Sequence, residues 1–153
     1  MVDAERWATR LSTWFGCGRA AVAPGTVGSI GALPLAWLLA RASPWLHAGA
    51  VVALGIAGTW AADVHAKSVG DEDPPSAVID EVVGTLIAVG LVRGRGLGAG
   101  LAAVVLFRVL DILKPGPIDD LQSLRPTGLG IMADDLLAGA VAGLTVRLMS
   151  SVR

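Results

Sequence analysis

Asp80 and Glu81 stand side by side in VIDEVVG, and Asp134 and Asp135 side by side in GIMADDLLAG. Both pairs are flanked by apolar residues. Neighbours on a helix point about 100° apart, so a mostly buried helix cannot turn both carboxylates of a pair to water. A buried carboxylate without compensation is very costly. Protonation, a basic partner or a metal ion must compensate, unless each pair marks the wet N-terminal edge of its helix, where the dipole favours acids. A third stretch, FRVLDILKPGPI, spaces Arg108, Asp111 and Lys114 at i, i+3 and i+6, just before the break at Pro115, Gly116 and Pro117. On a helix they form a loose stripe within one face.

Asp80, Glu81, Asp111, Asp134 and Asp135 make five carboxylates against two bases, Arg108 and Lys114. A structural net of ion pairs is one outcome, but it leaves excess negative charge. A hard divalent cation such as Mg²⁺ offsets that excess, and oxygen-only ligands suit it. The two bases are then free to grip a phosphate. Metal with Arg and Lys is a recurrent arrangement for phosphoryl chemistry. Zinc is not indicated, because no His or Cys cluster exists. His47 and His65 lie apart among apolar residues and read as structural.

Other polar stretches are less specific. APGTVGS, Ala23 to Ser29, is a Gly-rich loop leading into an apolar helix, with Thr26 and Ser29 as hydroxyl donors. Backbone N–H groups at a helix start bind anions. The loop lacks the Gly-Lys pair of a P-loop, and an ordinary capped turn fits it as well. GDEDPP reads as a solvated turn. In PIDDLQ, Asp119 and Asp120 cap or begin a short helix.

These residues need elements to hold them. The 153 residues suggest one domain, 54% hydrophobic and 16% charged, with mean hydropathy +0.66. Soluble domains carry roughly 25% charge. Net charge is -1, so no global field draws nucleic acid. Cys17 is the lone cysteine; no intrachain disulfide is possible, and a reducing compartment fits. The opening MVDAERWATR does not read as a signal peptide.

Ala, Leu and Val dominate and period-two alternation is scarce, so the expected fold is all-α. Helices are expected over Val2 to Trp14, Ile30 to Ala40, Pro44 to Lys67, Ser76 to Leu91, Leu97 to Lys114, Pro117 to Leu121 and Met132 to Met149. Glycines at Gly96, Gly98 and Gly100, and at Gly139 and Gly143, have the spacing that lets helices approach closely. Leu46 to Ala62 is the best membrane-span candidate, and the other apolar runs look too short to span alone. Two readings fit these runs, a compact bundle of all-apolar core helices and a membrane protein with thin, tilted or re-entrant helices; the apolar fraction and five tryptophans favour a compact, membrane-associated multi-helix bundle with Gly/Pro-rich loops carrying the site.

GCGRAAVAPGTVGSIGALP, VIDEVVG, FRVLDILKPGPI and GLGIMADDLLAG follow in this order, and over Phe15 to Gly143 the chain resembles the phosphatidylglycerophosphatase A family. The resemblance implies a largely helical enzyme that hydrolyses phosphatidylglycerophosphate to phosphatidylglycerol and phosphate with Mg²⁺. It places that enzyme at the bacterial inner membrane, with the site expected on the cytoplasmic side. Carried over, the motifs land on Asp80 and Glu81, on Arg108, Asp111, Lys114 and Pro115, and on Gly130, Asp134 and Asp135. Pro24, Gly25, Thr26, Gly28 and Ser29 match in the first loop. Asp80, Glu81, Asp111, Asp134 and Asp135 are the expected catalytic carboxylates, with Glu81, Asp111, Asp134 and Asp135 as the metal ligands. Arg108, Lys114, Thr26 and Ser29 are the expected phosphate contacts. Ala21, Gly116 and Thr127 depart from the family pattern without removing a charged motif residue. Expected partners are the phospholipid substrate and the membrane, with no nucleic acid and a homo-oligomer left open. The alternative is a small non-catalytic membrane protein that binds or transports cations, since intramembrane acids with basic partners suit that too.

Overall fold

The computed structural model describes residues 2–116, 118, 121 and 124–151. These form six α-helices: α1 (Val2–Ser12), α2 (Pro24–Arg41), α3 (Pro44–Val69), α4 (Ile79–Leu91), α5 (Leu97–Leu113) and α6 (Thr127–Met149). A 3₁₀ segment, Trp14–Arg19, follows α1. No strand occurs among the described residues. Of the expected helix Pro117 to Leu121 only Ile118 and Leu121 are described, and the pair Asp119 and Asp120 lies outside the described residues.

Local chemistry sets the helix ends. Ser43 caps α3 by accepting the Leu46 N–H at 3.1 Å, Pro44 occupies the first turn, and left-handed Gly70 ends the helix. Arginines satisfy carbonyls at other ends. Arg93 donates to the carbonyls of Ala40 and Ala42 at the end of α2, and Arg147 donates to the Leu91 carbonyl that ends α4.

Helix α4 is the centre. Ile79, Val82, Val83, Gly84, Thr85, Leu86, Ala88 and Val89 are all buried, and α2, α3, α5 and α6 pack around it. Closest approach is to α6, where a Cβ on Gly139 would stand 2.5 Å from the Gly84 carbonyl oxygen. Gly143 approaches the Ala88 carbonyl in the same way, so the expected spacing of these two glycines does bring helices together. The other series differs. Gly96 precedes α5 with φ +85°, and Gly98 meets nothing. Phe107 of α5, fully buried, packs against Gly84 beside α6, in one apolar cluster with Ala138 and Ala142. Truncating such a ring typically costs about 3–5 kcal/mol.

Several boundaries differ from expectation, with one physical cause. Helix α2 starts at Pro24, not Ile30, and α6 at Thr127, not Met132. Both early turns are glycine-rich, which disfavours helix. Packing overrides that preference: a Cβ on Gly128 would stand 2.0 Å from the Thr59 carbonyl oxygen, so only glycine lets α6 lie against α3 there. APGTVGS is therefore the first turns of a helix and not a loop. At the other ends, α1 stops at Ser12 and α5 at Leu113.

Two helices are long and apolar enough to cross a membrane, α3 (26 residues, mean hydropathy 1.4) and α6 (23 residues, 1.6). The expectation that only one run approached that length is thus corrected. Only 22% of the α3 window is buried inside the protein, whereas 56% of the α6 window is. Trp45, Val52, Ile56 and Trp60 of α3 point outward, as do Leu97, Leu101, Val105, Val109 and Ile112 of α5. Apolar surface of this extent marks a lipid or protein contact.

Candidate active site

Four helices deliver polar groups to one place. The first turn of α4 brings Asp80 and Glu81, the last turns of α5 bring Arg108 and Asp111, and the middle of α6 brings Asp134 and Asp135. The N-terminus of α2 adds Gly25 and Thr26. A cavity of about 560 Å³ is lined by Thr26, Asp80, Glu81, Arg108, Asp111, Lys114 and Asp134, with Glu72 and Arg125 also on its wall.

Lys114 departs from the expected helical stripe. Its φ of 43° is left-handed, which ends α5 and sends the side chain across to α6. Ala23, just before α2, is also left-handed at φ 48°. Such backbone costs a non-glycine residue about 1–2 kcal/mol. Both residues line the cavity, and strain of this kind gathers at functional sites.

The two bases pair as a structural net requires, but they do not reach every acid. Arg108 Nη1 lies 2.5 Å from Asp111 Oδ2 and 3.5 Å from Glu81 Oε1. Lys114 Nζ donates to Asp134 Oδ2 at 2.7 Å. Burial alone would lower the Lys114 pKa, but the hydrogen bond and charge of Asp134, with the charge of Asp111, outweigh it and raise the pKa above the ordinary lysine value. Asp134 Oδ1 accepts the Asp135 N–H at 3.0 Å. Asp80 and Asp135 are left without a base. Asp80 Oδ1, Glu81 Oε2 and both Asp135 carboxylate oxygens are buried with no hydrogen-bond partner among the described residues.

The orphaned oxygens fit a hard cation. One oxygen each from Asp80, Glu81 and Asp135 lie within 4.8 Å of one another, and so do oxygens from Asp111, Asp134 and Asp135. Asp135 belongs to both triads. Opposite ligands of an octahedral Mg²⁺ lie about 4.2 Å apart, which falls within this limit. Every donor is a carboxylate oxygen, the set such an ion prefers. Asp80, one of the five carboxylates expected to serve the magnesium site though not one of the four expected direct ligands, belongs to the first triad.

Thr26 and Ser29 separate. Thr26 lines the cavity at the start of α2, where no side chain caps the helix. An uncapped helix start offers N–H donors and a positive dipole end to an anion. Ser29 is 1% exposed, donates its hydroxyl to the Gly25 carbonyl at 3.1 Å and does not line the cavity. Its expected phosphate contact is corrected: the hydroxyl is spent inside its own helix. The histidines are structural, as expected. His47 Nε2 lies 2.9 Å from the Leu86 carbonyl oxygen, and His65 Nε2 lies 2.8 Å from Ser76 Oγ. Arg125 is a cavity residue that the motifs missed, as is Glu72 from the stretch read as a solvated turn. Arg125 is a single base in a linker, RPTG, with no pattern to single it out.

The family model for phosphatidylglycerophosphatase A matches residues 10–150. Phosphatidylglycerophosphatase A of Escherichia coli is 38% identical over 136 residues, covering 86% of this chain and 77% of that protein. The Haemophilus influenzae protein of the same name is 34% identical, covering 89% of this chain and 84% of its own length. A Bacteroides thetaiotaomicron protein, named as a candidate phosphatidylinositol-3-phosphatase, is 36% identical over 89% of both chains. No solved structure matches. The chain belongs to the phosphatidylglycerophosphatase A family.

Proposed function

We propose that this enzyme is a Mg²⁺-dependent phosphatidylglycerophosphatase of phospholipid biosynthesis, seated in the bacterial inner membrane with its site at the cytoplasmic face. Water attacks the terminal phosphomonoester, the P–O bond to glycerol breaks, and phosphate and phosphatidylglycerol leave. The observation that carries this proposal is the pair of carboxylate triads that share the buried Asp135, their other acids lining one cavity with Arg108 and Lys114. Family membership names the lipid.

Asp80, Glu81, Asp111, Asp134 and Asp135 would hold the metal, which supplies Lewis-acid charge neutralisation at the phosphoryl oxygens. Magnesium keeps several waters, so some of these carboxylates act through water. Arg108 and Lys114 grip the non-bridging oxygens, aided by the Thr26 hydroxyl and the α2 N-terminus. Asp80 is assigned to the carboxylates that act through water and takes the proton of the attacking water, because it lines the cavity and pairs with neither base. The leaving glycerol oxygen regains a proton from solvent. The outward apolar faces of α3 and α5 seat the protein in lipid, so that the headgroup reaches the acids while the acyl chains stay in the bilayer.

The test is phosphate release from phosphatidylglycerophosphate by purified protein with Mg²⁺ or with chelator. Release with Mg²⁺ and loss with chelator is the expected result. Equal rates would sink the metal role, and no release in either condition would favour the non-catalytic cation-binding alternative.

A further inference from the structure

The cavity is charged in two tiers. Arg108 and Lys114 lie deep, with side chains 16% and 28% exposed, against the buried carboxylates. Arg125 lies on the same cavity wall at the mouth, 60% exposed. Its Nη1 donates to Thr127 Oγ1 at 3.0 Å, and its Nη2 lies 3.1 Å from both Glu72 carboxylate oxygens. Glu72 is itself 77% exposed. An ion pair this open to water is worth little, so exchanging Glu72 for a better anion costs little. A guanidinium presents a planar fork that matches phosphate oxygens, and the Thr127 hydroxyl holds one side of it in place.

The proposed substrate carries two phosphates. The terminal monoester is hydrolysed, and the phosphodiester that joins the two glycerols stays with the product. With the monoester among the deep groups, the diester lies further out, between the reaction centre and the acyl chains. We propose that Arg125 binds this bridging phosphodiester and so selects lipids whose monoester is carried on a phosphodiester-linked headgroup, with Glu72 as its partner in the empty site. This rests on the activity proposed above. Arg125 touches no reacting atom, so its contact is equally strong before and during the reaction. Losing it raises KM and leaves kcat nearly constant.

The test compares phosphatidylglycerophosphate with its methyl triester, in which the bridging phosphate is uncharged and the terminal monoester is kept. Both are presented in mixed micelles with Mg²⁺. Wild-type protein is expected to prefer the charged diester by about tenfold or more in kcat/KM, the scale of one charge-assisted contact. In Arg125→Gln that ratio falls towards one, with the loss in KM. Arg125→Lys keeps part of it. Glu72→Gln keeps it or increases it, and this variant tests the same site without removing the arginine. If wild type hydrolyses both lipids equally, or if Arg125→Gln keeps the full preference or loses both substrates equally through kcat, the assignment is overturned while the phosphatase activity stands. Hydrolysis of neither lipid by folded wild type instead removes the proposed activity, and this assignment with it.

Discussion

Gly25 lies directly against Glu81: a Cβ at position 25 would stand 2.0 Å from Glu81 Oε1 and 2.8 Å from an Arg108 nitrogen. The start of α2 can reach the acids only because that residue has no side chain. Gly25→Ala must therefore push the Glu81 carboxylate aside and disturb its partner Arg108. Misplacement of about 1 Å in a catalytic centre costs about 100-fold. Activity is expected to fall by about that much, while the melting temperature changes by only a few degrees, since a side-chain end moves and not the backbone. Wild-type activity in this variant would show that the α2 contact is incidental.

Asp111 and Lys114 should fail in different ways under the proposed mechanism. Asp111→Asn removes a charge from one ligand triad, so raising Mg²⁺ should recover part of the activity. Lys114→Ala removes a phosphate grip worth about 1.5–3 kcal/mol, and extra Mg²⁺ should not help. Activity against Mg²⁺ concentration, with melting temperature in parallel, separates the two. Matching curves and matching losses of stability would mean that these residues only build the fold.

Asp135 is shared by both triads and has neither oxygen paired. Neutralising it should have opposite effects with and without metal. In chelator, Asp135→Asn relieves a buried uncompensated charge, so its melting temperature should equal or exceed that of wild type. With Mg²⁺, wild type should gain stability, about 2.7 kcal/mol at 100 times Kd, and the variant should gain almost none. Titration of Mn²⁺, followed by its paramagnetic resonance, reads binding without any turnover. Equal binding by the two proteins would remove Asp135 from the ligand set.

Thr26→Ala and Ser29→Ala form a matched pair three residues apart. Thr26 lines the cavity, whereas the Ser29 hydroxyl is bonded within α2. The first is expected to raise KM several-fold, the scale of one hydrogen bond of about 1 kcal/mol. The second should change activity less than twofold. Equal losses would restore Ser29 as a substrate contact.

How far these features could be read beforehand varies with the physics that fixes them. Asp80, Glu81, Asp134 and Asp135 stood out because carboxylates in apolar surroundings require a reason, and α4 and α6 do bring them together, with Asp111 from α5. The end of α5 was legible in KPGP. The starts of α2 and α6 were not, because glycines that weaken an isolated helix are required where Gly25 meets Glu81 and Gly128 meets Thr59. Those contacts are long-range and leave no local pattern. The same holds for Ser29, whose chemistry looked available until the helix enclosed it. Arg125 was invisible for the reverse reason: an isolated arginine in a linker gains meaning only from the cavity it faces.

The shortness of α4 has a consequence for the surrounding lipid. Thirteen residues at a rise of 1.5 Å make a rod of about 20 Å, whereas the hydrocarbon of a bilayer is about 30 Å thick. With Asp80 and Glu81 in its first turn, the central helix cannot bring them level with one headgroup plane while its other end reaches the opposite plane. Under the proposed seating in a bilayer, a helix centred in the hydrocarbon would hold Asp80 and Glu81 about 5 Å below the headgroup plane, and thinning of the leaflet over the cavity or water drawn down into it would close that gap. In that seating the substrate phosphate would descend below its resting depth to reach the acids. Bilayer thickness would then control turnover, and lipids with shorter acyl chains should speed the enzyme without any change in its own residues.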